Sequence, residues 1–203
     1  MMIDRARRFR SLAAGSLFLA ALALLPAARP ARAGSPATPE TVVSIWPPAQ
    51  RAVARALIEK YGLPEQYDSH ALAWFNNGVW KRTIVYRFSP RQDKNREHEF
   101  LQQTVGYIVP ADKMDALKKF DRRLEVSQSA GEMTFTSDRE ATNLLALNLA
   151  DEIVTGKRTV ASARAFFMRT TVLAAAGKSS PYRRDLRFDA DNSRYMTPGG
   201  ADR

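Results

Sequence analysis

From Leu72 onward the apolar residues recur at every second position. Leu72 and Trp74 lead into Asn76-Asn77-Gly78, and on the return Trp80, Ile84, Tyr86 and Phe88 alternate with Lys81, Thr83, Val85 and Arg87. That period predicts a β-hairpin with one apolar face. A two-residue turn at Asn77-Gly78 sets Phe75 opposite Trp80, whereas a three-residue loop with Gly78 left-handed sets Trp74 opposite Trp80. The second is the expectation, because it keeps Leu72, Trp74, Trp80, Ile84 and Tyr86 on one face and a slip of one residue scatters them.

A third strand over 101–109 extends the hairpin, and Leu124 to Ser127 and Glu132 to Ser137 make another across Ala130-Gly131. Hairpin-length links force antiparallel pairing, since a parallel pair needs a crossover of a dozen or more residues. Helical periods surround these strands. Pro47-Pro48 opens a helix with Ala52, Val53, Ala56, Leu57 and Tyr61 on one stripe, stopped by Gly62. Met114, Leu117 and Phe120 mark a short helix. Ser137 and Glu140 fit a capping box before a long apolar helix ended by Gly156, and Thr159 caps a last one through Val160, Ala163, Phe167 and Ala174. The predicted fold is α+β: an antiparallel sheet of about five strands, a three-stranded meander plus a hairpin, with helices packed on one face.

The ends read differently. Arg5, Arg7, Arg8 and Arg10 precede an apolar run from Leu12 to Leu25, and Ala31-Arg32-Ala33 follows. This is the pattern of a secretory signal peptide over 1–33, cut between Ala33 and Gly34. Residues 34–44 are expected to be a flexible linker, 45–176 a single α+β domain, and 177–203 a disordered tail. The periplasm is the expected destination, with release to the medium as the alternative.

The net charge of +10 suggests nucleic acid until it is divided along the chain. Six of the 31 basic residues and one of the 21 acidic ones fall in 1–33, which leaves a surplus of only +5 on the remainder. With both signs interspersed, that surplus favours solubility rather than a binding field, so nucleic acid is not an expected partner. The chain has no cysteine, which removes disulfides, thiol catalysis and thiolate metal sites.

Three stretches carry a resemblance: 59–65 (EKYGLPE), 74–82 (WFNNGVWKR) and 145–158 (LALNLADEIVTGKR). Together they resemble a group of uncharacterised exported bacterial proteins, over residues 45–170. The resemblance implies export and a single domain and implies no chemistry. The helix, Gly-x-Pro turn and Trp-bearing strand are also similar, at fold level, to small outer-membrane assembly lipoproteins of the periplasm, although no lipidation cysteine is present.

Chemistry is sparse. His70 and His98 are the only histidines. Glu97, His98 and Glu99, with Asp93 nearby and His70 from the hairpin, have donor types that suit a divalent metal, but a solvated charged loop over 89–99 accounts for them more simply, and no metal is expected. Asp151 and Glu152 are adjacent on a helix and diverge rather than converge on one bond. No cofactor is expected. The surface candidate is the hairpin: Trp74, Asn76, Asn77, Trp80, Lys81 and Arg82 would form an aromatic and basic platform, weighed against burial of both tryptophans in the core. The expected function is a non-enzymatic binding or assembly module of the cell envelope, contacting another envelope protein or a cell-wall component and meeting the membrane only through the signal peptide before cleavage. The alternative is an envelope hydrolase or metal-dependent enzyme using His98, His70 and carboxylates.

Overall fold

The computed structural model describes residues 38–91 and 96–190. The expected leader over 1–33 with its Ala33-Gly34 cut, Asp93, and the stretch 191–203 lie outside the described residues.

The fold is α+β, with one antiparallel sheet and five α-helices among the described residues. The strands are β1 (Gln66–Tyr67), β2 (Ala71–Asn77), β3 (Trp80–Tyr86), β4 (Leu101–Gly106), β5 (Leu124–Ser127) and β6 (Glu132–Ser137). They lie in the order β1-β2-β3-β4-β6-β5. The meander and the second hairpin are therefore joined by pairing of β4 with β6, in the register Leu101↔Ser137 to Gly106↔Glu132. The strand beyond the expected five is β1, an exposed two-residue edge too short to show a period.

The helices are α1 (Pro39–Ser44), α2 (Pro48–Tyr61), α3 (Met114–Phe120), α4 (Glu140–Val154) and α5 (Val160–Ala175). Register explains why they share one face. Leu72↔Val85↔Leu101↔Ser137 and Trp74↔Thr83↔Gln103↔Phe135↔Leu124 are rows that cross the sheet on the same side. Leu72, Trp74, Val85 and Leu101 pack with Ala54 and Leu57 of α2, while Val105, Met133 and Phe135 pack with Leu144, Leu145, Leu149 and Ile153 of α4.

A buried polar chain runs between these two apolar clusters. Asn77 Nδ2 donates to Thr83 Oγ1 (3.1 Å), and Asn143 Nδ2 donates to Gln103 Oε1 (2.9 Å) and Leu101 O (3.2 Å). Ser137 donates to Asn143 Oδ1 at 2.6 Å. Such a chain ties α4 to β4 and β6 at fixed positions, because sliding would strand several buried polar groups at once.

Five expectations are corrected. The hairpin turn is Gly78-Val79, with Asn77 opposite Trp80 and Trp74 opposite Thr83; Gly78 does take φ 62, as the first central residue of a tight hairpin turn requires. Asn76, at φ 50, interrupts the pleat beside that turn, so Asn77 and Trp80 are buried while Ile84 and Tyr86 stay half-exposed on the opposite side.

Residues 39–44 are helix rather than linker. Thr38 Oγ1 caps the amide of Thr41 at 3.3 Å, Pro39 opens the turn, Glu40 faces its positive end, and Val43 is buried. Six residues display a start signal but no stripe. The tail folds as far as residue 190: a 3-10 turn at Pro181–Arg183 brings Tyr182, Leu186 and Phe188 against the α4 cluster. In the loop expected to be exposed over 89–99, Glu99 is buried by its arginine partners. The capping box at Ser137 does not form either. Arg139 is the N-cap of α4, and Glu140 turns away to Lys60 and Tyr61, at 2.7 and 3.0 Å.

Candidate functional site

The hairpin residues singled out from sequence are structural. Trp80 is 0% and Trp74 1% exposed, and Trp74 Nε1 donates to Gly62 O at 2.9 Å. Lys81 is buried with its Nζ 3.0 Å from Glu132, and Arg82 reaches Glu132 and Thr104. Asn76 shapes the turn, and Asn77 belongs to the polar chain. An aromatic platform is therefore ruled out as a surface. Two indoles bring too much apolar area to stay in water when helices lie over the same face.

The metal candidates separate. His70 is exposed beside Ser69 and Asp68, whose carboxylate takes the amides of His70 and Ala71 at 2.7 and 2.8 Å and is held below its ordinary pKa by those bonds. Glu97 and His98 are exposed, whereas Glu99 is buried between Arg91 and Arg96. Among the described residues no group of three or more His, Asp or Glu has the geometry to hold a metal ion. Asp151 and Glu152 do diverge: the first accepts from Tyr107, the second from Arg158 and Tyr182.

A different place gathers charge. Between α3 and α5, where the end of β6 and the 96–99 turn meet them, lies an open cleft of about 780 Å³. Its floor is apolar: Phe120 of α3 meets Phe167 of α5 edge to face, with centroids 6.4 Å apart, and Met168 lies beside them. Local sequence dictates this arrangement. Leu117 and Phe120 turn inward on α3, which leaves Lys118 and Lys119 outward in its last turn, where cations suit the helix dipole.

The lining holds Arg96, Lys118, Lys119, Arg122, Arg123 and Arg164 against Glu99, Asp121 and Asp138. Each of those carboxylates is already engaged. Arg123 binds both oxygens of Asp121, through Nε at 3.0 Å and Nη2 at 2.7 Å, Arg96 lies 3.5 Å from Glu99, and Arg139 lies 2.5 Å from Asp138. Arg123 also stacks over Phe135 and Phe167, at 4.8 and 5.5 Å. Burial alone would lower its pKa, but the bonds to Asp121 raise it, so Arg123 is a fixed cation in the wall. Lys118, Lys119, Arg122 and Arg164 form no ion pair among the described residues.

An aromatic floor under cations of this kind suits a ligand with an anionic group and an apolar body. Ser137, which also lines the cleft, is not poised as a nucleophile, since its hydroxyl donates to Asn143 and accepts the Arg139 amide at 3.3 Å. Sequence reasoning missed the site because its charges come from segments far apart in the chain. The local signals were the run 118–123 (KKFDRR) and the apolar Met168, Val172 and Leu173, which lie off the inward stripe of α5. The chain matches no known protein family, no curated protein and no solved structure.

Proposed function

We propose that this chain is a non-enzymatic binding module of the cell envelope that holds an anionic, partly apolar ligand in the α3–α5 cleft. The observation that carries the reading is the set of four cations, Lys118, Lys119, Arg122 and Arg164, which form no ion pair among the described residues and lie around Phe120 and Phe167. The acids of the cleft are neutralised by their own arginines, which supports binding over acid-base chemistry there. The signal-peptide pattern at the N-terminus supports the envelope as the place of action.

Titration with octyl phosphate, compared with uncharged octyl glucoside, tests the reading. Saturable binding of the phosphate alone, weakened by Arg164→Ala and by Lys118→Ala, is expected. Equal response to both amphiphiles, or no effect of the two substitutions, would remove the cleft as the site. N-terminal sequencing of the protein from fractionated cells tests the compartment, with Gly34 expected as the first residue.

A further inference from the structure

Helix α5 buries little of itself: Ala163 and Thr170 are its only fully buried residues. On its outer side Met168 is 69%, Val172 68% and Leu173 46% exposed. Arg164, Met168 and Val172 follow one another at intervals of four, so they form a single row along the helix. The row begins in the cleft, since Arg164 and Met168 both line it across from Lys118, Lys119 and Arg122. Helix α5 carries Arg164 and Arg169 and no acidic residue.

Large apolar side chains held out in water, in a row that starts among cations forming no ion pair among the described residues, match the surface of an interfacial helix rather than that of a solvated one. We infer that the α3–α5 face docks on an anionic lipid surface, with Met168, Val172 and Leu173 entering the headgroup layer and Lys118, Lys119, Arg122 and Arg164 meeting its phosphates. This rests on the cleft being the binding site and names the surface to which its ligand belongs. Charge complementarity selects lipid over a second copy of the chain. A two-fold interface through this face would set Arg164, Arg169 and the cleft cations against their own images.

The absence of cysteine makes the test specific, because one introduced thiol carries the only dye. The full chain with Met168→Cys, labelled with an environment-sensitive fluorophore, is mixed with phosphatidylcholine vesicles with and without phosphatidylglycerol. Leu63→Cys, labelled alike on an exposed site after α2, is the control. The expected result is a blue shift and quenching by headgroup-level nitroxide lipid at position 168 only, and only on the anionic vesicles. Each cation at such a surface contributes roughly fivefold in partitioning, so adding Lys118→Ala and Arg164→Ala should weaken binding by about 25-fold. Added salt should weaken the protein that keeps both cations in the same direction.

Equal quenching at 63 and 168, or no response at 168, overturns the inference. A dimer in light scattering that Val172→Glu disperses also overturns it, and gives the face to a second copy. Octyl phosphate binding that survives while vesicles give no response leaves the cleft reading standing and removes the lipid surface alone. Loss of both removes both.

Discussion

Arg187 donates its backbone N–H to Asn148 Oδ1 at 2.7 Å, which fixes the C-terminal strap to the middle of α4. The Asn148 amide meanwhile donates to Asp185 O at 2.9 Å and Tyr182 O at 3.1 Å, so one buried side chain satisfies three backbone groups of a strap that has a 3-10 turn but no longer helix or strand.

Asn148→Ala should therefore release the strap without unfolding the sheet. With three bonds lost and the ordering entropy of the strap regained, its local opening should become easier by about 2 kcal/mol. Amide exchange at Arg187 should then quicken by roughly thirtyfold, while amides of β4 and β6 keep their protection. Unchanged exchange at Arg187 would mean that Leu186 and Phe188 hold the strap by packing alone.

A second tether gives the strap a pH dependence. Tyr182 donates to Glu152 Oε1 at 2.6 Å and Arg158 Nε donates to Oε2 at 2.7 Å. Burial by itself would raise the Glu152 pKa, but those two bonds and the Arg158 charge outweigh it and leave it below the ordinary 4.5. A depressed folded-state pKa contributes stability that is present above the unfolded value and lost as pH falls through the folded one. Glu152→Gln should therefore be less stable than the native chain at neutral pH, with the gap closing below about pH 4 in urea melts. A gap that persists in acid would assign the loss to geometry rather than to charge.

The strap also shows where sequence reasoning stops. Val160, Ala163 and Phe167 announce α5 by their period, and the alternation from Leu72 announces the hairpin, because regular elements repeat a side-chain direction. Residues 181–188 repeat nothing. They are held by Asn148, Glu152 and Tyr107, which lie far away in sequence, and Tyr107 meets Phe188 edge to face at 5.2 Å only once the sheet exists. The cleft is hidden in the same way, since Arg96, Arg122 and Arg164 acquire a common surface only through the packing of Phe120 on Phe167. Burial of Trp74 and Trp80 was legible, but the register between them was not, because Asn76 changes the parity of the strand just before the turn.

That turn supplies a clean test of backbone strain. Gly78 has φ 62, and a Cβ placed there would stand 3.3 Å from Tyr61 Cε1, whereas Gly156 has φ 75 and nothing within 4 Å. Both alanine substitutions incur the left-handed penalty, about 1 kcal/mol, and Gly78→Ala adds crowding against the ring. Urea melts should show Gly78→Ala to be the more harmful, by up to ~1 kcal/mol. Equal effects would indicate that Tyr61 yields at no cost.

The group Lys81, Arg82 and Glu132 separates the cost of burying a charge from the value of pairing it. Lys81 has a side chain only 3% exposed and lies 3.0 Å from Glu132, which Arg82 approaches at 3.4 Å from a wetter position. Removing the carboxylate with Glu132→Gln leaves an ammonium buried beside a second cation, a situation that costs about 3–5 kcal/mol. Lys81→Met removes the buried ammonium, keeps the stem's volume and leaves Glu132 with Arg82, so it should cost roughly 1 kcal/mol or less. The double variant should then be more stable than Glu132→Gln alone, since the charge that needed the carboxylate is gone. Urea denaturation of the four proteins measures the coupling directly. If the double variant is instead the least stable of the four, the Lys81 ammonium makes contacts besides Glu132 that Met does not replace, and its burial is not what makes Glu132→Gln costly.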